Sequence, residues 1–174
     1  MDLSPESLSL LPLDDLAYRI ATCTDPQSQE EIACSLGASC YDPELRAFTA
    51  LLSKSQQGVI TEALLQNLPV LPAENHQHIL AGIAAAIDGY YTDFAVFTNA
   101  IAAQAASPLL DPLVIPLLRR AEFCVALLTS FQMLRRTLPP PWLTAIRQRR
   151  DRSDFVETSL DLVYSLQRLD ALIK

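Results

Sequence analysis

The 174-residue sequence has few of the residues that build strands and tight turns. It contains only four glycines, few runs of valine, isoleucine and threonine, and no Asn-Gly or Asp-Gly hairpin signal between segments of alternating polarity. β-Hairpins depend on such residues, so a strand-rich fold is excluded. Leucine, alanine, glutamine, glutamate and arginine dominate instead, and all of them favour helices. The sequence therefore predicts an all-α protein.

Long apolar runs are also missing. The richest stretch, 109–131, is interrupted by Asp111, by two prolines and by the pair Arg119–Arg120. A membrane-spanning helix needs about 18 consecutive apolar residues. The N-terminus begins acidic and lacks the basic start of a signal peptide. We therefore expect a cytoplasmic protein without a membrane span.

Charged residues make up only 19% of the chain, whereas hydrophobic residues reach 50%. A chain of this length forms a single compact domain, 1–174, with 1–70 and 71–174 as possible sub-bundles. Two interpretations of the apolar excess stay open at this point. The excess fills a helical core, or it forms a surface for self-association, for example in a homodimer, or a groove for an apolar ligand.

Metal-site patterns are absent from the sequence. No two of the four cysteines form a C-x-x-C pair, and His76 and His78 would face different directions on a helix. Cysteines in a reducing cytosol are mostly free and buried, although Cys23, Cys34 and Cys40 are close enough in sequence for a disulfide. We expect neither a metal nor a cofactor.

Motifs for catalysis are lacking as well. The sequence has no glycine-rich phosphate loop, no G-x-S-x-G elbow and no H-E-x-x-H sequence. Asp88 and Asp93 lie in one apolar segment, but a spacing of five places them on different faces of a helix, which disfavours a carboxylate pair for acid–base work. We therefore expect no enzymatic activity and assign no catalytic residues.

Periodicity and capping residues predict about seven or eight helices in an antiparallel bundle. Asp-Pro pairs at 25–26, 42–43 and 111–112 are typical of helix starts, because aspartate caps the first turn and proline fits the first helical position. Ser153 is a fourth candidate cap. The predicted helices are 13–22, 26–36 (ended by Gly37), 43–55, 59–67, 73–106 (kinked or broken at Gly89), 112–137, 141–150 and 154–173.

Residues 29–46 resemble a degenerate helix-turn-helix, with an amphipathic first helix followed by Gly37 at the turn. The second helix is predicted to begin after Asp42, which makes the connection too long for this motif. Its first exposed residues, Asp42 and Glu44, would repel phosphates. Residues 1–50 carry nine acidic and only two basic side chains. We therefore expect no nucleic-acid binding by this segment.

Basic residues are concentrated in 119–152, which holds eight arginines and two acidic residues. Arginine binds carboxylates, phosphates and aromatic faces, and a tryptophan in such a segment is a typical interface anchor. The predicted partner-binding set is Arg135, Arg136, Trp142, Arg147, Arg149, Arg150 and Arg152. An internal interpretation stays open, in which these arginines pair with the acidic N-terminal half and Trp142 caps the core. The net charge of −7 favours the internal interpretation.

Alanine-rich segments indicate a different kind of site. Small residues cluster at 81–86 and 100–106, where they let helices approach closely or leave a groove for an apolar ligand such as a pigment or a lipid. The candidate ligand-binding residues are Tyr90, Tyr91, Phe94 and Phe97.

The leading hypothesis is a non-enzymatic regulatory or adaptor-like protein that self-associates and docks an acidic or apolar protein partner through 119–152. Ligand binding is the alternative hypothesis, and DNA-binding regulation ranks below it.

Overall fold

A computed structural model describes residues 3–41, 52–89, 94–156 and 160–173. These ranges contain ten α-helices and no strand, which confirms the prediction of an all-α helical bundle. The helices are α1 (Pro5–Ser9), α2 (Leu13–Thr22), α3 (Pro26–Tyr41), α4 (Lys54–Asn67), α5 (Ala73–Asp88), α6 (Ala95–Ala103), α7 (Asp111–Leu117), α8 (Ala121–Met133), α9 (Pro140–Arg152) and α10 (Leu160–Leu172). None of the helices in these ranges is long and apolar enough to cross a membrane.

The helices lie in two rows. The even-numbered helices, from α2 to α10, pack on one another in chain order, and the odd-numbered helices, from α1 to α9, do the same. α2 and α4 run parallel. Gln56 near the start of α4 donates to the carbonyl of Ser9, ahead of α2, at 2.8 Å, and Asn67 at the end of α4 donates to the carbonyl of Ile20 at 3.0 Å. This is the packing order of an α-solenoid, in which helix pairs stack side by side.

A glycine permits the close contact between α3 and α5. The Asn75 amide of α5 donates to the Glu30 carboxylate of α3, and one or two turns further on Gly82 lies against Ala33. A Cβ atom at position 82 would lie 2.9 Å from the Ala33 side chain and nearer still to its carbonyl group. The absence of that atom lets the two backbones approach.

One hydrophobic core extends from Leu3 to Leu169 and takes buried side chains from every one of these helices. Packing of α3 on α5 and of α4 on α6 carries the core across residue 70. Some large apolar side chains remain exposed, among them Met133 and Tyr164. The apolar excess is therefore divided between a core and a surface.

Helix boundaries follow the sequence in some places. α2 has the predicted bounds, and the long segment 73–106 is broken after Asp88, where Gly89 ends α5. Asp25 caps α3 by accepting the Ser28 backbone N–H at 2.9 Å. The predicted helix 43–55 falls largely on residues outside the described ranges, and so does the Asp-Pro pair at 42–43.

Other predicted boundaries are wrong for physical reasons. α3 continues through Gly37 to Tyr41, because a helical glycine costs only about 1 kcal/mol and packing on α5 outweighs that cost. The predicted helix 112–137 is two helices, because the chain leaves the helical conformation between α7 and α8, where Arg120 has an extended backbone (φ −104°, ψ 119°). Ser153 does not cap α10. It is the C-cap of α9 instead, with a left-handed backbone (φ 51°).

Two helix starts were missed. α4 begins at Lys54 rather than at 59, because Ser53 and Gln56 form a reciprocal capping box. α1 begins after Ser4, whose hydroxyl accepts the Ser7 N–H at 3.3 Å.

The continuous α3 also removes the turn that a helix-turn-helix in 29–46 would require at Gly37. Cys23 and Cys34, two of the three cysteines considered for a disulfide, are free thiols.

Candidate partner-binding surface

The arginines at the end of α9 fasten that helix to α10. Arg150 donates from Nε and Nη2 to the two carboxylate oxygens of Asp170 at 2.6 and 2.9 Å. This two-point bond raises the pKa of the Arg150 guanidinium. Arg147 donates to the carbonyl of Ile173 at 3.3 Å, just beyond the end of α10. Both side chains therefore serve an internal contact.

Two further arginines of the predicted set are also engaged within the chain. Arg136 donates to the carbonyls of Ala102, at 3.2 Å, and Ala103, at the end of α6. The last carbonyls of a helix lack partners and carry partial negative charge, so a cation stabilises them. Arg149 pairs with Asp154 at 3.5 Å.

The pair at the start of the arginine segment neutralises the end of α5. Arg119 and Arg120 approach the carboxylate of Asp88 at 3.2 and 3.9 Å. A carboxylate at the C-terminus of a helix is unfavourable by itself, and two cations offset it. Arg120 also lies 4.6 Å above the ring centroid of Phe94. Within the described ranges, the carboxylates that pair with arginines of 119–152 are therefore Asp88, Asp154 and Asp170. None of them belongs to the acidic N-terminal helices in residues 3–41.

Trp142 belongs to the core and is not an exposed anchor. Its side chain is fully buried, and its ring packs edge-on against Phe131 with the centroids 6.1 Å apart. Its Nε1–H donates to Asp111 Oδ1 at 2.7 Å. The interface role predicted for Trp142 is therefore corrected to a structural one, because burial of this large ring leaves no part of it for a partner.

Arg135 and Arg152 are the predicted arginines whose exposed side chains make neither an ion pair nor a hydrogen bond with a described residue. Arg135 has a φ of 51°, in the left-handed region. It occupies the position after α8 where glycine is usual, and the Arg136 N–H closes the turn on the carbonyl of Phe131 at 2.9 Å.

An open groove of about 360 Å³ lies between α6, α8 and α10. Met133 and Tyr164 line it and are 71% and 69% exposed. Arg168 of α10 lines it too and makes no ion pair with the described part of the chain. Leu134 and Arg135 follow Met133 directly and are also exposed. We refer to Met133, Leu134, Arg135, Tyr164 and Arg168 as the α8–α10 surface.

The predicted ligand-binding aromatics do not form a common site in the described ranges. Tyr90 and Tyr91 lie outside those ranges. Phe97 is fully buried in the core, so it is unavailable to a ligand. Phe94 is 2% exposed, packs edge-on against Phe123 with the centroids 5.8 Å apart, and contributes to the wall of the groove between α6, α8 and α10. Core packing accounts for both phenylalanines.

A second groove, of about 560 Å³, lies where the first alanine-rich segment predicts one. Leu80, Ala81 and Ala84 of α5 form one wall, and Leu109 and Pro112 form the other. The remaining lining residues are Ala73, His76, Gln77 and Pro108. The small side chains of α5 therefore leave open space on this side of the helix.

Sequence reasoning missed Met133, Tyr164 and Arg168. Met133 falls inside the predicted helix 112–137, where nothing distinguishes it from a core residue. The four-residue spacing of Tyr164 and Arg168 places them on one helix face, but only the structure shows that this face is uncovered. No protein-family model matches the chain, and no curated protein or solved structure is significantly similar to it.

Proposed function

We propose that this chain is a non-enzymatic interaction protein that holds an acidic, amphipathic protein segment on the α8–α10 surface. The observation that carries the proposal is the groove between α6, α8 and α10. Exposed Met133 and Tyr164 line it beside Arg168, a cation without an ion pair in the described ranges. An apolar side chain of the partner would fill the groove while a partner carboxylate binds Arg168.

The chemistry of these residues suits a protein partner. Methionine adapts to irregular apolar surfaces, and tyrosine and arginine are enriched among residues that dominate binding energy. Glu122 also lines the groove. A long polyanion would be repelled by Glu122 and by the net charge of −7 of the protein, which disfavours nucleic acid as the partner. A short segment with a few carboxylates on one side of an apolar stripe carries less negative charge than a nucleic acid, so it is repelled less, and its apolar side chains add contacts that nucleic acid lacks.

Two synthetic helical peptides test the proposal by fluorescence anisotropy. Both carry the same leucine stripe, and one has glutamates beside it where the other has lysines. We expect the acidic peptide to bind more tightly, and we expect added salt to weaken its binding. Met133→Ser and Tyr164→Ser should each weaken binding about tenfold, which corresponds to roughly 1.4 kcal/mol. Arg168→Gln should remove most of the preference for the acidic peptide.

Val70→Ser is the matched control, because Val70 is 71% exposed and lies in the turn between α4 and α5. It should bind the acidic peptide as the wild type does. Equal binding of the acidic and basic peptides, or equal effects of Val70→Ser and Met133→Ser, would contradict the proposal.

A second proposal is that the α5–α7 groove, lined by Leu80, Ala84 and Leu109, holds a small apolar ligand. Its volume of about 560 Å³ and its largely apolar lining support this function. Native mass spectrometry of the freshly purified protein, with absorbance recorded on the same sample, tests it. An added small mass that Ala84→Leu abolishes is the expected result. A bare protein mass that stays unchanged after incubation with fatty acids and pigments would contradict it.

A further inference from the structure

One face of α5 lines the α5–α7 groove. The spacing of its lining residues places their side chains along a single stripe of the helix: Ala73, His76, Gln77, Leu80, Ala81 and Ala84. Among the described residues that line the groove, His76 and Gln77 alone carry polar side chains. The polar groups of the stripe therefore lie near the start of α5, and the remainder of the stripe is apolar.

The facing wall of the groove is apolar as well. It consists of Leu109 and two prolines, Pro108 and Pro112. Proline has no backbone N–H, so neither of these two residues donates a hydrogen bond to a ligand. A ligand in this groove therefore finds side-chain hydrogen-bonding partners at the His76 end.

A hydrogen bond to the turn before α5 determines which nitrogen of the His76 ring carries the proton. The Nε2 atom lies 3.1 Å from the carbonyl oxygen of Leu71. A carbonyl oxygen only accepts, so Nε2 donates, and Nδ1 of the neutral ring keeps a lone pair. No group of the described ranges donates to Nδ1. The half-buried His76 ring therefore offers the groove a hydrogen-bond acceptor.

We infer that the α5–α7 groove binds a long-chain alcohol. The hydroxyl group of this ligand donates to Nδ1 of His76, and its alkyl chain lies between Leu80 and Ala84 on one side and Leu109 on the other. Ala84 lies eight residues after His76, a helix rise of about 12 Å that matches an extended chain of about ten carbons. The inference rests on the proposed binding of a small apolar ligand in this groove, and it names the chemical class of that ligand.

Hydrogen-bonding chemistry distinguishes an alcohol from other ligands with the same alkyl chain. An alcohol supplies the donor that Nδ1 of His76 lacks. A carboxylate has no proton to donate, so its oxygens would oppose the Nδ1 lone pair, and the net charge of −7 of the protein adds to this repulsion. An ether accepts but does not donate, and its binding would leave Nδ1 without a partner.

Isothermal titration calorimetry with decan-1-ol, decanoate and 1-methoxydecane tests the inference, because the three ligands share one alkyl chain. The full-length chain is titrated at about pH 8, where histidine side chains are ordinarily neutral. We expect the wild type to bind decan-1-ol about tenfold more tightly than either of the other two ligands, since only the alcohol satisfies the acceptor.

His76→Lys replaces the acceptor by a donor. The ammonium group still donates to the Leu71 carbonyl but accepts no hydrogen bond, so this variant should prefer decanoate over decan-1-ol. His78→Lys is the matched control, because His78 is exposed on the same helix and does not line the groove. It adds the same charge and should keep the preference for decan-1-ol.

The outcomes separate this inference from the proposed function of the groove. If decanoate or 1-methoxydecane binds the wild type as tightly as decan-1-ol, the inference is overturned and the binding of apolar ligands stands. If the wild type binds none of the three ligands, both are overturned. A folded His76→Lys variant that still prefers decan-1-ol also overturns the inference.

Ala84→Leu decides the matter if His76→Lys does not fold. A leucine side chain at position 84 fills the groove, so decan-1-ol should bind this variant about tenfold more weakly than it binds the wild type. Unchanged binding of decan-1-ol would place the ligand outside the groove and overturn the inference.

Discussion

Trp142 donates its indole N–H to Asp111 Oδ1 at 2.7 Å and so joins α9 to the first residue of α7. The sequence predicts Asp111 to be a helix cap, but α7 begins without a side-chain cap. The Asp111 carboxylate accepts the hydrogen bond of the Trp142 indole instead. The start of α9 is therefore held in the core. Arg135, just after α8, and Arg152, at the end of α9, are exposed.

Replacing Asp111 by alanine should lower the free energy of unfolding by about 1–3 kcal/mol, because the buried indole N–H loses its acceptor. Asp111→Asn should cost less, since its amide oxygen still accepts. The chain has one tryptophan, so its fluorescence during urea unfolding reports on this contact directly. Wild-type stability of Asp111→Ala would show that the bond contributes nothing.

Glycine at either left-handed helix end should stabilise the protein. Arg135 and Ser153 both have a φ of 51°, a conformation that costs most residues about 1–2 kcal/mol but suits glycine. Arg135→Gly and Ser153→Gly should therefore raise the free energy of unfolding by up to about 1 kcal/mol. Gln132→Gly, inside α8, should lower it by about 1 kcal/mol. A loss of stability in both of the first two variants would be inconsistent with these helix ends.

Gly82→Ala should destabilise the contact between α3 and α5. The added methyl group would overlap the carbonyl group of Ala33, which belongs to the backbone and cannot rotate away as a side chain could. The expected loss is about 1–3 kcal/mol, typical of overpacking. Gly58→Ala is the comparison, because its Cβ would lie 3.0 Å from Val96 Cβ, a tight contact that a shift of a few tenths of an ångström between α4 and α6 would relieve. Differential scanning calorimetry should rank Gly82→Ala well below Gly58→Ala, and the reverse order would refute the close approach.

The cap of α3 should make stability depend on pH. The Ser28 hydroxyl and then its backbone N–H donate to Asp25, and they lower the pKa of that carboxyl. A carboxyl with a lowered folded-state pKa stabilises the fold above its unfolded pKa, and this contribution is lost as pH falls through the folded pKa. The Tm difference between wild type and Asp25→Ala should therefore shrink on acidification, whereas a difference independent of pH would contradict the cap.

Local features of the fold could be predicted from the sequence. Composition indicates helices, Asp25 marks the start of α3, and Gly89 marks the end of α5. The two-row order could not be predicted, because it depends on contacts between residues far apart in the chain. The bond from Asn67 to the Ile20 carbonyl and the fit of Gly82 against Ala33 are examples.

The candidate site could likewise be predicted only in part from the sequence. The sequence located the arginines of 119–152, but it could not show which carboxylate each one meets. Arg150 is bound by Asp170, and Arg119 by Asp88, through helix packing that no local pattern encodes. The exposure of Tyr164 is likewise a consequence of its place at the end of a row.

Fluorescence anisotropy of the acidic and the basic peptide, with the wild type and with Arg168→Gln at low and high salt, tests the central claim most directly. A partner carboxylate bound by Arg168 predicts that the wild type prefers the acidic peptide, that Arg168→Gln removes most of this preference and that added salt weakens it. Equal binding of the two peptides by the wild type at low salt would contradict the proposed role of the α8–α10 surface.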